Sequence, residues 1–320
     1  MIWGLLAVTL GFCALVHLRA TRRERRIAQT HPPEGEIVSI DGVPIHYRVL
    51  GSGPDLVLLH GANGNMKDFT LHFAQRLTDR YRVILFDRPG LGWTGRPTGY
   101  GGAWNTAEES PASQAKLLQR AADQIGAHKP IILGHSFGGI VALAWAQSRP
   151  ETTRGLVLVS GVAEPWPGKL GWTYRVMGST LGTAFFVPLI TAFLPKRYLV
   201  KSVADVFAPQ KPPKGYKAHV GPALSIRRST LRANAQQVNA LRPHVVEMQK
   251  DYAALRLPIE MIHGDVDTIV PLEIHARVLM QDVPNGALTI LPGVGHMPHH
   301  VAPEAVEAAI DRAAARAGLR

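Results

Sequence analysis

Residues 130–139 read Pro-Ile-Ile-Leu-Gly-His-Ser-Phe-Gly-Gly, an apolar run leading straight into Gly134-x-Ser136-x-Gly138. This spacing predicts a buried strand, a sharp strained turn carrying Ser136, and a helix leaving the turn. Glycine two residues either side of the serine removes the Cβ atoms that would clash as strand and helix close on each other. The segment that follows, Gly139-Ile-Val-Ala-Leu-Ala-Trp-Ala-Gln-Ser148, is Ala-rich and apolar, as a helix packed on a sheet must be. A hydroxyl projected from such a turn, among converging backbone N–H groups, points to acyl-transfer chemistry at Ser136.

A serine hydroxyl is a poor nucleophile at neutral pH and needs a base, which in turn needs an orienting acid. Both types occur downstream on loops that follow strand-like segments. Pro258-Ile-Glu-Met-Ile-His-Gly264 runs into Asp265-Val-Asp267-Thr-Ile-Val-Pro271, and Ala287-Leu-Thr-Ile-Leu-Pro292 runs into Gly293-Val-Gly-His296-Met-Pro-His299-His300. Serine, aspartate, histidine is the chain order of one known type of triad. With these residues in view, the chain resembles the α/β-hydrolase-fold serine hydrolases over about residues 35–320. His60-Gly61-Ala62-Asn63-Gly64 resembles that family's oxyanion loop, and Asp87-Arg-Pro-Gly-Leu-Gly-Trp-Thr94 its D-x-x-G-x-G loop. Gly264-Asp-Val-Asp267-Thr-Ile-Val-Pro271 is similar to its acid turn, and Gly295-His296 to its terminal G-H turn. The resemblance implies a mostly parallel central sheet with helices on both faces and an inserted helical cap.

In this reading Ser136 is the nucleophile, His296 the base and Asp267 the acid. The oxyanion needs two aimed donors, each typically worth about 3 kcal/mol. The N–H of Phe137, next after the nucleophile, supplies one. The resemblance implies the N–H of Ala62 as the other. Asp265, two residues from Asp267, competes with it for the acid, and the resemblance implies Glu164 as a further competitor, since after the strand-like Gly155-Leu-Val-Leu-Val-Ser160 it occupies a position some family members use for the acid. His60, His135 and His263 read as structural hydrogen-bonders, and Asp87 as a brace for its loop. His296, His299 and His300 form a run without a carboxylate at ligand spacing, so the expectation is no metal and no cofactor. Gly90-Leu-Gly92-Trp-Thr-Gly95 fits a dinucleotide fingerprint, but Arg96-Pro97-Thr-Gly99-Tyr-Gly101-Gly102 after it is unsuited to the helix such a site requires.

The rest of the chain bears on location and substrate. Residues 1–18 are almost wholly apolar, near the lower length limit of a spanning helix, and Arg19, Arg22, Arg23, Arg25 and Arg26 follow them. An export signal carries its positive charge ahead of the apolar stretch. The expectation is therefore a transmembrane signal-anchor over 1–18 in the inner membrane, with the catalytic domain facing the cytoplasm. The alternative is export after cleavage of the leader. Residues 19–34 read as a basic linker, 35–160 and 255–320 as the hydrolase core, and 161–254 as the cap. The single cysteine, Cys13, lies in the leader, so no disulfide forms within the chain. Residues 161–254 hold thirteen Lys and Arg against four Asp and Glu, a balance of +9 within a total of +11. Inside them, residues 176–194 are apolar and uncharged. Bases flanking an apolar stretch suit an anionic membrane surface, or an acyl pocket with solvated bases around it. No nucleic-acid module is present. The expected substrate is a small, moderately hydrophobic carboxylic ester. A serine at the elbow argues against the dehalogenase and epoxide-hydrolase branches, which carry aspartate there. C–C bond hydrolysis, haloperoxidase-like chemistry, acyl transfer and a non-catalytic binding role stay open, because fold does not choose among them.

Overall fold

The computed structural model describes residues 1–168 and 170–319. Eight strands form one sheet: β1 (Glu36–Ile40), β2 (Val43–Leu50), β3 (Asp55–Leu59), β4 (Arg82–Phe86), β5 (Ile131–His135), β6 (Gly155–Val159), β7 (Ile259–Gly264) and β8 (Gly286–Leu291). Their spatial order is β1-β2-β4-β3-β5-β6-β7-β8. β1 and β2 form a hairpin through Asp41-Gly42, both with positive φ (51° and 79°), the turn conformation that Asp-Gly favours. β2 pairs antiparallel with β4, and every pairing from β4 to β8 is parallel. β3, β5, β6 and β7 are buried at every position, as continuous apolar strands covered on both faces should be.

The faces are covered by different segments. On one side the helices Pro111–Gln124 and Phe137–Ser148 pack their alanines and leucines on the sheet; on the other sit residues 66–81 and the helix Pro303–Arg316. Helix Pro111–Gln124 starts where the sequence equips it to: the Ser110 hydroxyl accepts the Ser113 N–H and Pro111 takes the first turn. The chain passes from β3 outward to β4, then back across to β5. The loops after β3 and β5 therefore face each other at the reversal of strand order, where open parallel sheets gather their ligands.

Between β6 and β7 the described residues form helices and no strand. The longest, Arg228–Met248, contains Pro243. The helix at the N-terminal end differs from the sequence reading in one respect. It runs unbroken from Ile2 to Thr30, so residues 19–30 are helix rather than linker. Residues 1–15 are exposed, whereas Val16, Ala20 and Ile27 are buried along one face. Val16 and Ala20 pack against Ala192, and Ile27 against Leu199, Leu224 and Ile226. The basic residues are held too. Arg19 and Arg23 donate to the carbonyls of Ala192 and Thr191 at 3.1 and 3.2 Å, and Arg228 grips Glu24 at 2.6 Å. Docking on the helices between β6 and β7 supplies the tertiary contacts that keep this stretch helical.

Candidate active site

Ser136 stands between β5 and the helix Phe137–Ser148 with φ 54° and ψ −120°, a region an L-residue occupies only under constraint. The constraint comes from both sides. A Cβ on Gly134 would lie 2.3 Å from the Gly138 oxygen, and one on Gly138 would lie 2.2 Å from the Leu59 oxygen. The Ser136 N–H donates to Val159 O at 3.1 Å, tying the turn to β6.

His296 lies on the loop after β8, and its Nδ1 is 2.8 Å from Asp267 Oδ2, with both side chains buried. Asp267 hangs from the loop after β7, where its Oδ1 accepts the N–H groups of Ile269 and Val270 at 2.9 and 3.0 Å. Burial alone would raise its pKa. His263 and His296 beside it, with the Val270 N–H, outweigh burial and hold the carboxyl well below the usual carboxylate range. An ionised Asp267 fixes the proton of His296 on Nδ1 and leaves Nε2 with a lone pair. The two competing acids stand elsewhere. Asp265 is exposed and accepts the Gly293 N–H at 2.6 Å. Glu164 is buried, neither carboxylate oxygen has a partner, and burial followed by Asp282 pushes it up to about 8.

Ser136, His296 and Ala62 line one cavity of about 450 Å³. Much of its remaining wall is apolar and comes from the helices between β6 and β7, including Leu199, Val203, Phe207 and Ile226. Among the described residues, the N–H groups of Ala62 and Phe137 donate to no protein acceptor. The neighbouring Asn63 N–H is taken by Asn234 Oδ1 at 2.7 Å.

The loop carrying Ala62 is held from below. His60 Nδ1 bonds the Gly61 carbonyl at 2.9 Å, and its Nε2 accepts the Arg88 N–H at 3.0 Å. Burial, then Arg88, lowers this imidazole to about 4, so it is neutral. Arg88 is fully buried and donates to the carbonyls of His60 and Gly61 at 2.8 and 3.1 Å. Nothing local in the sequence marked Arg88 out. Asp87 accepts from His46 Nδ1 (2.6 Å), Met66 N (2.8 Å) and Trp93 N (2.7 Å), and so braces its loop. The Gly90–Gly95 segment leads into turns, with no helix before Pro111.

His299 and His300 are not without a carboxylate. The fold brings Asp68, from a short helix over 200 residues earlier, to 3.2 Å from His299 Nε2 and 3.0 Å from His300 Nε2. The sequence reading set these histidines aside because no carboxylate stood at ligand spacing along the chain; the sheet supplies one across it.

Residues 56–309 match the Alpha/beta hydrolase family. A pimeloyl-[acyl-carrier protein] methyl ester esterase from Yersinia enterocolitica is 28% identical over 267 residues, covering 82% of this chain and 93% of the esterase. Haloalkane dehalogenase 2 from Mycobacterium tuberculosis is 26% identical over 290 residues, covering 88% of this chain and 95% of the dehalogenase. Among solved structures, that of a membrane phospholipase A superposes with a TM-score of 0.63 at 22% identity, covering 98% of this chain and 99% of its own.

Proposed function

Because the chain belongs to the Alpha/beta hydrolase family, we propose that it is a serine hydrolase cleaving carboxylic esters of moderately hydrophobic substrates through an acyl-enzyme on Ser136. One observation carries this reading: a serine strained at φ 54° shares a cavity with a histidine whose Nδ1 is held 2.8 Å from a buried, ionised aspartate.

The chemistry follows from those atoms. Ser136 Oγ attacks the ester carbonyl while its proton passes to His296 Nε2. The carbonyl oxygen becomes an oxyanion, for which the unengaged N–H groups of Ala62 and Phe137 are the donors. Asp267 stabilises the imidazolium. Collapse breaks the bond to the leaving oxygen, which takes the proton from His296. Water then repeats the sequence on the acyl-enzyme, with His296 as base, and releases acid and free Ser136. The serine also separates this chain from dehalogenase chemistry, which uses aspartate at that turn. The apolar cap wall suits a hydrophobic acyl group.

The same proposal places the enzyme at a membrane. The N-terminal helix is long and apolar enough to cross one. Leu181, Phe185 and Trp172 of the positively charged cap are exposed. Arginines after the apolar stretch favour a cytoplasmic catalytic domain. The similar membrane phospholipase A matches nearly the whole chain, N-terminal helix included.

A fluorophosphonate probe tests the reaction. It should label Ser136, and Ser136→Ala should abolish both labelling and turnover of a panel of esters graded in acyl length. Labelling of another serine, or persistent turnover by Ser136→Ala, refutes the mechanism.

A further inference from the structure

We propose that Asp68, His135 and His299 form a zinc site beneath the elbow, a site that neither the fold nor the proposed hydrolysis calls for. The argument starts from a tautomer. His135 Nε2 lies 3.0 Å from the carbonyl oxygen of His296, so that nitrogen carries a proton. His135 is buried, and in the tautomer with that proton its Nδ1 presents a bare lone pair, which has no hydrogen-bond partner. That lone pair faces Asp68 Oδ2 at 3.6 Å. The distance is too long for a hydrogen bond, and two acceptors make none. A buried lone pair opposite a buried carboxylate calls for a cation between them.

The spacing suits one. Ligand atoms of Asp68, His135 and His299 all lie within 4.8 Å of one another. Around zinc, with bonds near 2.0–2.1 Å, tetrahedral geometry separates ligand atoms by roughly 3.3 Å. Asp68 Oδ2 lies 3.2 Å from His299 Nε2 and 3.6 Å from His135 Nδ1, values that bracket this figure. Coordination through His299 Nε2 requires its proton on Nδ1, a buried atom without a protein acceptor among the described residues, so the metal bonds must outweigh one unpaired donor. The other carboxylate oxygen is oriented from outside, by the Tyr216 hydroxyl at 2.7 Å and His300 Nε2 at 3.0 Å, as outer partners of metal ligands are. Two imidazoles and one carboxylate favour zinc over magnesium or calcium. Asp68 and His135 line the cavity, which provides the entry path and would leave the fourth position open to water. Bound there, zinc would tie residues 298–301 to the elbow through groups outside the proposed triad.

The test uses tag-free full-length protein in mild detergent, stripped with a chelator and titrated with zinc chloride by calorimetry. The expected result is one saturable site per chain, retained by Ser136→Ala, with a thermal midpoint that falls on stripping and recovers with zinc. Asp68→Asn and His299→Gln should each weaken binding more than about 100-fold, beyond what loss of an outer partner alone produces. Two variants guard against one that fails to fold. Absence of a one-to-one site in the stripped protein overturns the proposal. So does unchanged affinity in a folded variant, or a site lost in His296→Ala but kept in both ligand variants, which would place the zinc at the triad.

Discussion

Replacing Glu164 by glutamine should stabilise the protein increasingly as pH rises. The side chain follows β6, is 2% exposed, and offers two carboxylate oxygens that accept nothing. Burial, then the charge of Asp282, lifts its pKa from 4.5 to about 8. The unfolded chain surrenders this proton near 4.5, whereas the folded chain keeps it until about 8. Below pH 4.5 both states are protonated and there is no penalty. Between the two values the unfolded state is favoured by up to about 1.36 kcal/mol per pH unit, and above pH 8 the penalty is constant. The ceiling is therefore about 5 kcal/mol. Solvent screening and relaxation of the folded chain reduce the expected figure to about 2–3 kcal/mol. Glutamine keeps the shape and does not titrate. Thermal unfolding of both proteins across pH 5 to 8.5 should show midpoints that differ little at the acid end and diverge by roughly 3–5 °C at the alkaline end. A pH-independent difference, or one of opposite sign, would refute the reasoning. Ester turnover should stay within a few-fold, since Glu164 does not orient His296 in the proposed mechanism; a collapse of kcat would return Glu164 to contention as the acid.

Other outcomes follow from the same contacts. Asp267→Asn should lower kcat by about four orders of magnitude by leaving His296 in the wrong tautomer, while Asp265→Asn, exposed and bonded to Gly293, should cost less than about tenfold; the reverse ranking would move the acid. Glu24→Gln removes the carboxylate that Arg228 grips, so limited proteolysis within residues 19–30 should quicken while the rest of the chain stays resistant; equal rates would show that the apolar face and the Arg19 and Arg23 hydrogen bonds hold the helix without this ion pair. The full-length chain should sediment with membranes and resist high salt, whereas residues 31–320 should bind anionic vesicles weakly and release as salt rises, because exposed charges are screened over about 8–10 Å at physiological strength. A reporter fused after Arg320 should be active on the cytoplasmic side; one active only outside, with a mature start beyond residue 18, would identify a cleaved export signal.

What was legible in the chain depended on whether its cause was local. The elbow is written in ten residues because its strain is local: the two glycines and the strand–turn–helix pattern all act within that span. The strands were legible for a related reason. Leu56–Leu59 and Val83–Phe86 are buried on both faces, so they are apolar throughout rather than alternating. Asp267 and His296 could be found because each follows a strand directly, and parallel strands bring their following loops to one edge. Asp68 follows no such rule. It meets His299 only because the order β4-β3-β5 folds residues 66–81 under the sheet beside the loop after β8. Residues 19–30 were misread for the complementary reason. Five arginines in eight positions look like a solvated linker when their partners are unknown, and two of those partners are backbone carbonyls at Thr191 and Ala192, which no side-chain pattern announces. A carbonyl freed at the end of one helix and an arginine on another leave no joint mark in either segment. Contacts of that kind, which here couple the N-terminal helix to the wall of the cavity through Ile27, Leu199 and Ile226, become visible only once both helices have been placed.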